Sequence, residues 1–501
     1  MFSKVLVANR GEIACRILRA CKEAGLATVA VVAPNDEGSL FTELADTIVL
    51  LDGEDIQSTY LNGQAIISIA QQEGAGAIHP GFGFLSERAD FAQAVMDAGL
   101  VWIGPSPYAI EQMGDKMTAR MTMREAGVPV IPGEEIEAEQ EDDALRLLEE
   151  ASHRVGYPLL LKASSGGGGK GMRIVRTPKD FLSSATGARR EAQTAFGDSR
   201  LYIERLLERA KHVEIQILAD AHGRTIHLGE RECSVQRRHQ KVFEEAPCAT
   251  LSDELREAMG NAAVAAAKAV DYVGAGTVEF MLTDSGEFFF LEMNTRIQVE
   301  HPITEMVTGV DLVREQLRIA QGEPMSVDAL SMRGHAIEVR LYAEDPEHQF
   351  LPSIGPLATF IPPEGPGIRL DTGVREGDEV TPFYDPMLAK LICWAPSREE
   401  CLQKMRRALD EFVVLGTTTN RQFLRELCDI DAVVQATTTT TTIDEQWPNG
   451  WKPTLDQEHI QAGLLLAETA EQLGWSTKAV YFGEGEVIQS PFQTISRRFP
   501  R

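Results

Sequence analysis

Five polar side chains occupy alternate positions in Glu292-Met-Asn-Thr-Arg-Ile-Gln-Val-Glu300: Glu292, Asn294, Arg296, Gln298 and Glu300. A strand sends alternate side chains to opposite faces. A strand here therefore predicts one face with carboxylates, amides and a guanidinium, but no lysine. Upstream, Gly276–Leu282 and Glu287–Glu292 read as two apolar strands, with Ser285-Gly286 as a two-residue hairpin turn. In that register Glu279 falls opposite Glu292. Directly opposed like charges cost up to ~1 kcal/mol, unless a cation lies between them. Glu279, Glu292 and Asn294 thus read as an oxygen-ligand site for magnesium, which shares its shell with substrate phosphates. The competing reading is a solvated hairpin with incidental acids.

Three further segments carry chemistry. Lys162-Ala-Ser-Ser-Gly-Gly-Gly-Gly-Lys-Gly-Met172 follows a predicted strand. Consecutive glycines let the backbone turn its N–H groups onto phosphate oxygens, and two lysines add charge. Gly171 stands where a Walker A loop has Ser or Thr, so this is a different phosphate loop. A flexible linker is the bland alternative, and it fits poorly between two strands. In His212-Val-Glu-Ile-Gln216 the polar residues His212, Glu214 and Gln216 alternate onto one face. Arg231, Arg237, Arg238, His239 and Lys241 cluster in an otherwise acidic chain. They form an anion pocket if they face the 292–300 segment, and a solvated loop if not.

The elements that must position these groups fall into three units. Residues 4–8 predict a strand, Asn9–Glu12 a turn, Ile13–Ala24 a helix and Thr28–Ala33 a strand, which is a βαβ start. Gly11 alone makes a weak dinucleotide signal. Strands and helices alternate to about residue 115. The loop His79-Pro-Gly-Phe-Gly-Phe-Leu-Ser-Glu87 follows a strand at Ala77-Ile78, a position that lines ligand crevices in open α/β sheets. The second unit starts near Lys116. Its acidic stretch Glu134–Asp143 predicts a surface connection, followed by a helix over Ala144–His153, a strand over Pro158–Ala163 and hairpins to about residue 300. The third unit, about 333–448, opens with a strand over His335–Leu341. The Thr437–Thr442 run is β-compatible and receives no role. Beyond Trp447, the spacing of Ile460, Leu464, Ala467, Ala470 and Leu473 predicts an apolar helix stripe over 456–473.

Composition bounds the function. The chain has 501 residues, 43% hydrophobic and 25% charged, as in ordinary globular proteins. Its net charge of −27 argues against nucleic-acid or anionic-membrane binding, which needs basic surface. Seven cysteines without a CxxC pair read as reduced thiols in a cytoplasmic protein. No run approaches the ~18 apolar residues of a membrane span, and the N-terminus reads as a strand rather than a signal peptide.

Seven motifs in order resemble the biotin carboxylases of the ATP-grasp superfamily. They are Ala8–Ala14, His79–Glu87, Met113–Lys116, Gly166–Met172, His212–Gln216, Gln236–Lys241 and Glu292–His301. The resemblance covers about residues 1–448. It implies an α/β protein of three parts: a Rossmann-like domain over 1–115, an ATP-grasp domain over 116–330 with a glycine-rich lid at about 134–204, and a C-terminal α+β domain over 331–448. A C-terminal extension follows at 449–501. It also implies that ATP phosphorylates bicarbonate to carboxyphosphate and that the carboxyl group then moves to N1 of biotin. Lys116, Lys162, Gly166, Gly167, Gly168, Gly169, Glu204, His212, Gln236 and His239 should bind ATP. Glu279, Glu292 and Asn294 should hold two Mg2+ or Mn2+ ions. Lys241, Arg296, Gln298, the Val299 backbone and Glu300 should bind bicarbonate, with Glu300 as general base. Arg340 and Phe82 should meet biotin.

Departures from the family are Phe82, where tyrosine is frequent, and Lys170, where many members have arginine. No Ala-Met-Lys-Met biotinylation motif occurs. The expected partners are therefore a separate biotin carboxyl carrier protein and a carboxyltransferase subunit, in a homodimer or a larger hetero-oligomer. The extension would be either a docking element for them or a helix packed back on its own domain. Two rivals remain on the sequence: another carboxyphosphate-forming ligase, such as a carbamoyl-phosphate-forming enzyme, and a non-catalytic scaffold or regulatory subunit.

Overall fold

The computed structural model describes residues 1–135, 141–163, 172–196, 199–238, 240–328 and 330–454. The Gly166–Gly169 loop, His239 and the helix expected over 456–473 lie outside these residues. In the first unit, β1 (Lys4–Val7), β2 (Ala27–Val32), β3 (Thr47–Leu50), β4 (Ala77–His79) and β5 (Val101–Trp102) form a parallel sheet of order β3-β2-β1-β4-β5. The central strands are apolar on both faces because helices cover both. Cys15, Ile17 and Leu18 of the helix Gly11–Glu23 pack on one face, and Ile66, Ile67, Phe91 and Val95 on the other.

Strand order reverses at β1, so the loops after β1 and β4 meet at one edge. Asn9 Nδ2 ties them by donating to the carbonyls of Pro80 and Phe82, each at 2.7 Å. Gly81 sits there at φ +65°, and a Cβ on it would lie 2.8 Å from Asn9 Nδ2. Only glycine satisfies both the backbone conformation and the close approach.

A second sheet contains β6 (Gly133–Glu135), β7 (Leu159–Ala163), β8 (Arg173–Val175) and β9 (Leu201–Arg205), in the order β6-β9-β7-β8. Leu148 and Phe181, from the helices Glu141–Val155 and Phe181–Phe196, pack against Leu161 and Ile203. Part of the acidic stretch expected as a connection is ordered structure. Glu134 lies in β6 and pairs with Arg154 at 2.6 Å, and the helix begins at Glu141, upstream of Ala144.

The third sheet has eight strands. They are β10 (Ala210–Ala219), β11 (Thr225–Arg237), β12 (Gln240–Ala246), β13 (Gly274–Thr283), β14 (Phe288–Asn294), β15 (His335–Tyr342) and the strands Ile368–Thr372 and Met387–Ala395. The order β14-β13-β10-β11-β12-β15 continues through Met387–Ala395 to Ile368–Thr372, so one sheet joins strands on both sides of residue 330. One face is apolar. Val213, Ile215, Val278 and Phe280 meet Met259 and Ala263 of the helix Asp253–Lys268. Ile337, Val339, Leu341 and Leu391 meet Leu402 and Met405 of the helix Arg398–Glu411. Each fully buried Leu, Ile or Phe contributes about 1.5–3 kcal/mol, which offsets the cost of an opposite face that is buried and polar. That face carries His212, Glu214, Gln216, Glu244, Glu338 and Arg340.

Two sequence expectations about β13 and β14 need correction. Glu279 does oppose Glu292, but by another route. The turn is one residue longer than Ser285-Gly286: Thr283 N donates to Glu287 O at 2.9 Å and Leu282 pairs with Phe288. A bulge at Leu291 then restores the register, so that Glu279 meets Glu292 and Thr277 meets Asn294. Secondly, β14 ends at Asn294. Residues 295–300 are irregular and lead into the helix His301–Thr308. Arg296, Gln298 and Glu300 therefore do not share a strand face with Glu292 and Asn294.

The Thr437–Thr442 run is likewise not a strand. Thr438 Oγ1 donates to Glu232 at 2.6 Å and Thr440 N to Ala210 O at 3.1 Å, docking the segment on β10 and β11. All seven cysteines are buried and unpaired. Among the described residues, no helix is long and apolar enough to cross a membrane.

Candidate active site

Lys241, at the start of β12, is the centre of the polar face. Its ammonium donates to Glu214 Oε2 at 2.5 Å, Glu279 Oε1 at 2.9 Å and Glu300 Oε1 at 2.6 Å. Three buried carboxylates raise its pKa well above the usual value, against the opposing effect of burial. β10, β13 and the segment before helix His301–Thr308 supply one carboxylate each. The sheet order brings these distant segments together.

Arg231 shares Glu214 with Lys241 and is wholly buried. Its guanidinium donates to Glu214 Oε1 at 2.5 Å, Gln216 at 2.7 Å, Thr304 at 2.8 Å, Thr277 at 3.0 Å and Gln298 at 2.8 Å. Every donor of its fork is engaged, so Arg231 fixes the floor of the site rather than facing a ligand. The basic cluster expected between 231 and 241 divides. Arg231 and Lys241 face the site. Arg237 pairs with Glu344 at 2.9 Å over the Phe350 ring, and Arg238 is exposed near Gln349.

Glu300 occupies the N-cap position of the helix His301–Thr308, but its side chain makes no capping hydrogen bond. Besides Lys241 it receives Arg340 Nη2, at 3.0 Å on Oε2. Burial alone would raise its pKa, but the charges of Lys241, Arg340 and Arg231 outweigh burial and hold it below the ordinary carboxylate range. Arg340, in β15, also donates Nε to Glu244 Oε1 at 2.6 Å. The Val299 carbonyl accepts from the fully buried Lys390 at 2.9 Å, and Lys390 in turn pairs with Glu12 at 3.0 Å. This contact fastens the 298–300 segment to the first unit.

The register sets Glu279 opposite Glu292, and Asn294 contacts Glu279. Glu279 Oε1 accepts from Asn294 and Gln298, both at 2.8 Å, and its Oε2 lies 2.8 Å from His212 Nε2. Burial would raise the Glu279 pKa, but Lys241 and His212 pull it well below the usual range. The Glu292 side chain is exposed at the edge of the site. Crowding by protein atoms first, and the Glu279 charge second, raise its pKa. The charge of Glu279 is met by Lys241 at 2.9 Å and by His212 at 2.8 Å. Two opposed carboxylates suit a hard divalent cation, so Glu279 and Glu292 fit magnesium, while Asn294 turns its Nδ2 to Glu279 and its Oδ1 to Arg296.

Arg296 bonds to Asn294 Oδ1 at 2.8 Å and pairs with Glu87 at 3.0 Å. The 79–87 loop therefore reaches the site, as its position after β4 implies. Phe82 is half-buried against the core of the first unit. At the other end, Lys162 of β7 contacts Glu204 of β9, which also lies 3.7 Å from Arg120. Gln236 Nε2 lies 3.5 Å from His212 Nδ1, and Lys116 begins the helix Lys116–Glu125 with its side chain exposed.

Sequence reasoning assigned no role to Glu214, Glu244 or Glu87, nor to Lys390. Alternation placed Glu214 on the right face but could not show that Lys241 and Arg231 would both bind it. For Lys390 there was no local signal, because its partners come from the first unit and from Val299.

The chain is similar to known proteins along most of its length. Residues 1–110 match the family model for the biotin carboxylase N-terminal domain, 115–327 that for the ATP-binding domain of the carbamoyl-phosphate synthase L chain, and 338–445 that for the biotin carboxylase C-terminal domain. The chain is 50% identical to the biotin carboxylase of Nostoc sp. over 446 residues, covering 89% of this chain and 99% of that protein. It is 51% identical to the mitochondrial methylcrotonoyl-CoA carboxylase subunit alpha of Dictyostelium discoideum over 428 residues, 85% of this chain and 61% of that longer protein. The biotin carboxylase of Campylobacter jejuni, solved as a β,γ-ATP complex, superposes with a TM-score of 0.83 at 39% identity, over 89% of this chain and 99% of that one. The biotin carboxylase domain dimer of Hydrogenobacter thermophilus 2-oxoglutarate carboxylase, solved with MgADP, ADP and bicarbonate, gives 0.83 at 44% identity over 89% and 98%.

Proposed function

The chain belongs to the biotin carboxylase family and is an ATP-dependent biotin carboxylase, and from that premise we propose which of its residues bind the substrates and carry the reaction. Bicarbonate binds at Lys241, Arg296, Gln298 and the Val299 backbone, with Glu300 as its base. ATP lies between Lys116, Lys162, Glu204, His212 and Gln236, with His239 and the glycines 166–169 also in contact. Biotin meets Arg340 and Phe82. Glu279, Glu292 and Asn294 would hold divalent magnesium, two ions in the sequence reading, which would neutralise phosphate charge.

The observation that carries this reading is the Glu300 carboxylate held between Lys241 and Arg340. In that state Glu300 is ionised and a weak base. When bicarbonate enters, Lys241 and Arg296 turn part of their charge to the new anion, and Glu300 becomes more basic where the proton must be taken. The resulting carbonate oxygen attacks the γ-phosphorus of ATP and ADP leaves; the carboxyphosphate formed gives its carboxyl group to biotin N1 as its C–O(P) bond breaks, with phosphate leaving and taking the N1 proton. Arg340 stays beside Glu300 to stabilise the ureido oxygen of biotin as negative charge develops on it during carboxylation. None of the 501 residues forms an Ala-Met-Lys-Met motif, so biotin reaches the site on a carrier outside this sequence. A carboxyltransferase then passes the carboxyl group on.

Steady-state ADP formation tests the reaction. We expect it to depend on bicarbonate and to rise with free biotin. Stimulation by ammonia and none by biotin would instead favour a carbamoyl-phosphate-forming ligase.

Glu292→Gln tests the metal ligands. Loss of a partner one step removed from a metal costs roughly 10–100-fold in affinity or activity, so loss of a direct ligand should weaken magnesium-dependent nucleotide binding by at least that much. Calorimetric titration of nucleotide with and without Mg2+ reads it. The Glu292 pKa is raised by its surroundings, so its charge opposes folding at neutral pH. The metal-free variant should therefore melt no lower than wild type. Unchanged magnesium dependence would remove Glu292 from the site.

A further inference from the structure

Glu338 is an acid that the mechanism does not use. It lies in β15, two residues before Arg340 and on the same face, and is 0% exposed. Neither of its carboxylate oxygens receives a hydrogen bond from a described residue. Its cross-strand partner on β12 is Glu244, and on the other side Ile392. Glu244 gives one oxygen to Arg340 Nε, while its Oε2 is buried without a donor.

The nearby cations are committed elsewhere. Arg340 bonds to Glu244 and Glu300. Lys390 bonds to the Val299 carbonyl and pairs with Glu12 at 3.0 Å and Asp371 at 3.8 Å. From the helix His301–Thr308, packed on this face, His301 adds no positive charge: burial first, then the neighbouring cations, keep it neutral. Glu244 has Arg340 as a donor and Glu338 has none among the described residues, so the two cannot both ionise side by side, because an unpaired buried charge costs several kcal/mol. Paired carboxyls in such a position hold one proton between them.

We propose that Glu338 and Glu244 share a single proton, carried mainly on Glu338, and that this neutral acid is a positioning residue for Arg340. The inference rests on the role given above to Arg340 and Glu300. With Glu338 neutral, two carboxylates surround the Arg340 guanidinium, and it keeps positive potential toward the substrate. If Glu338 ionised, a third anion would draw Arg340 and Lys390 toward the sheet and weaken the contact with Glu300. Burial raises the Glu338 carboxyl well above its ordinary range, and burial raises Glu244 to about 7 despite Arg340.

The test compares Glu338→Gln with the full wild-type chain across pH. A carboxyl that keeps its proton in the fold stabilises the protein below its unfolded pKa of about 4.3, and that stability is lost as pH rises toward the folded value. Glutamine cannot ionise. The melting temperature of E338Q minus that of wild type should therefore widen steadily from mildly acidic to alkaline pH. Wild-type bicarbonate-dependent ADP formation should also fall on the alkaline side more steeply than that of E338Q, each normalised to its own rate at neutral pH.

A melting difference that stays flat or narrows with pH means Glu338 is ionised in the fold, and overturns the proposal. Should E338Q not fold, E338M offers a similar uncharged volume for the same measurement; failure of both overturns it as well. Arg340→Gln separates the two readings. Near-normal biotin carboxylation by R340Q would remove the premise about Arg340. Collapse of R340Q activity together with a flat E338Q difference would remove only the shared proton.

Discussion

Glu300→Gln is expected to lower bicarbonate-dependent ATP cleavage by about 10²–10⁴-fold, the contribution typical of a positioned general base, while nucleotide affinity changes little. The substitution keeps the volume of the side chain and removes its capacity to take a proton. It also places an amide between Lys241 at 2.6 Å and Arg340 at 3.0 Å. Lys241 retains Glu214 and Glu279, so the ammonium stays anchored and the nucleotide region at Lys162 and Glu204 is undisturbed. The pH profile adds a second reading. Because Lys241, Arg340 and Arg231 overcome burial and hold Glu300 below the usual carboxylate range, its base form persists in the free enzyme down through ordinary carboxylate pKa values. The acid limb of wild-type kcat/KM from Glu300 should thus lie below about pH 4. Near-normal turnover of E300Q, measured as bicarbonate-dependent ADP release, would remove the general-base role.

Much of the site was legible because its residues lie in short local patterns. Alternation in 212–216 is a property of one strand, and β10 places His212, Glu214 and Gln216 as the period requires. The pairing of Glu279 with Glu292 was also anticipated, though through two errors that cancel: a turn one residue too short and a missed bulge at Leu291. Register depends on the sum of such features, and single-sequence patterns do not count bulges. The alternation over 292–300 was misleading as secondary structure, since the strand stops at Asn294. Its side chains still converge, because Gln298 and Glu300 are drawn back onto Glu279 and Lys241 by hydrogen bonds rather than by pleating. What remained hidden depends on long-range assembly. Lys390 reaches Val299 from a strand 91 positions later, and the threonine run docks on β10 and β11 through Thr438 and Glu232, 206 positions apart. Local periodicity carries no information about such partners. The single sheet across residue 330 was hidden for the same reason, since β12 and β15 are paired only in the fold.

Lys241→Met should affect both stability and activity, more than any other single change in the site. One ammonium neutralises Glu214, Glu279 and Glu300 at 2.5, 2.9 and 2.6 Å. Methionine fills much of the same volume, so packing is largely kept and the three carboxylates lose their shared counter-ion. Removing one partner of a buried ion pair typically costs 3–5 kcal/mol, and here three anions are left close together. Arg231 still holds Glu214, and Arg340 still holds Glu300, so the fold should survive with a lowered melting temperature. The sign with pH follows from the carboxyls. Burial raises Glu279 and Glu300, but the surrounding cations pull both below their ordinary values. Their stabilising contribution is therefore present above about pH 4.3 and is lost as pH falls through the depressed folded values. Without Lys241 those values rise, the variant takes up protons earlier, and its deficit relative to wild type should shrink as pH is lowered from 8 toward about 5. Lys241→Arg separates charge from geometry. Arginine restores a cation, so most of the stability should return. Its planar fork cannot reproduce one nitrogen donating in three directions, so bicarbonate-dependent ATP cleavage should stay low. A K241M protein as stable as wild type at pH 8, or a K241R protein with full activity, would show that this ammonium is not the hub of the site.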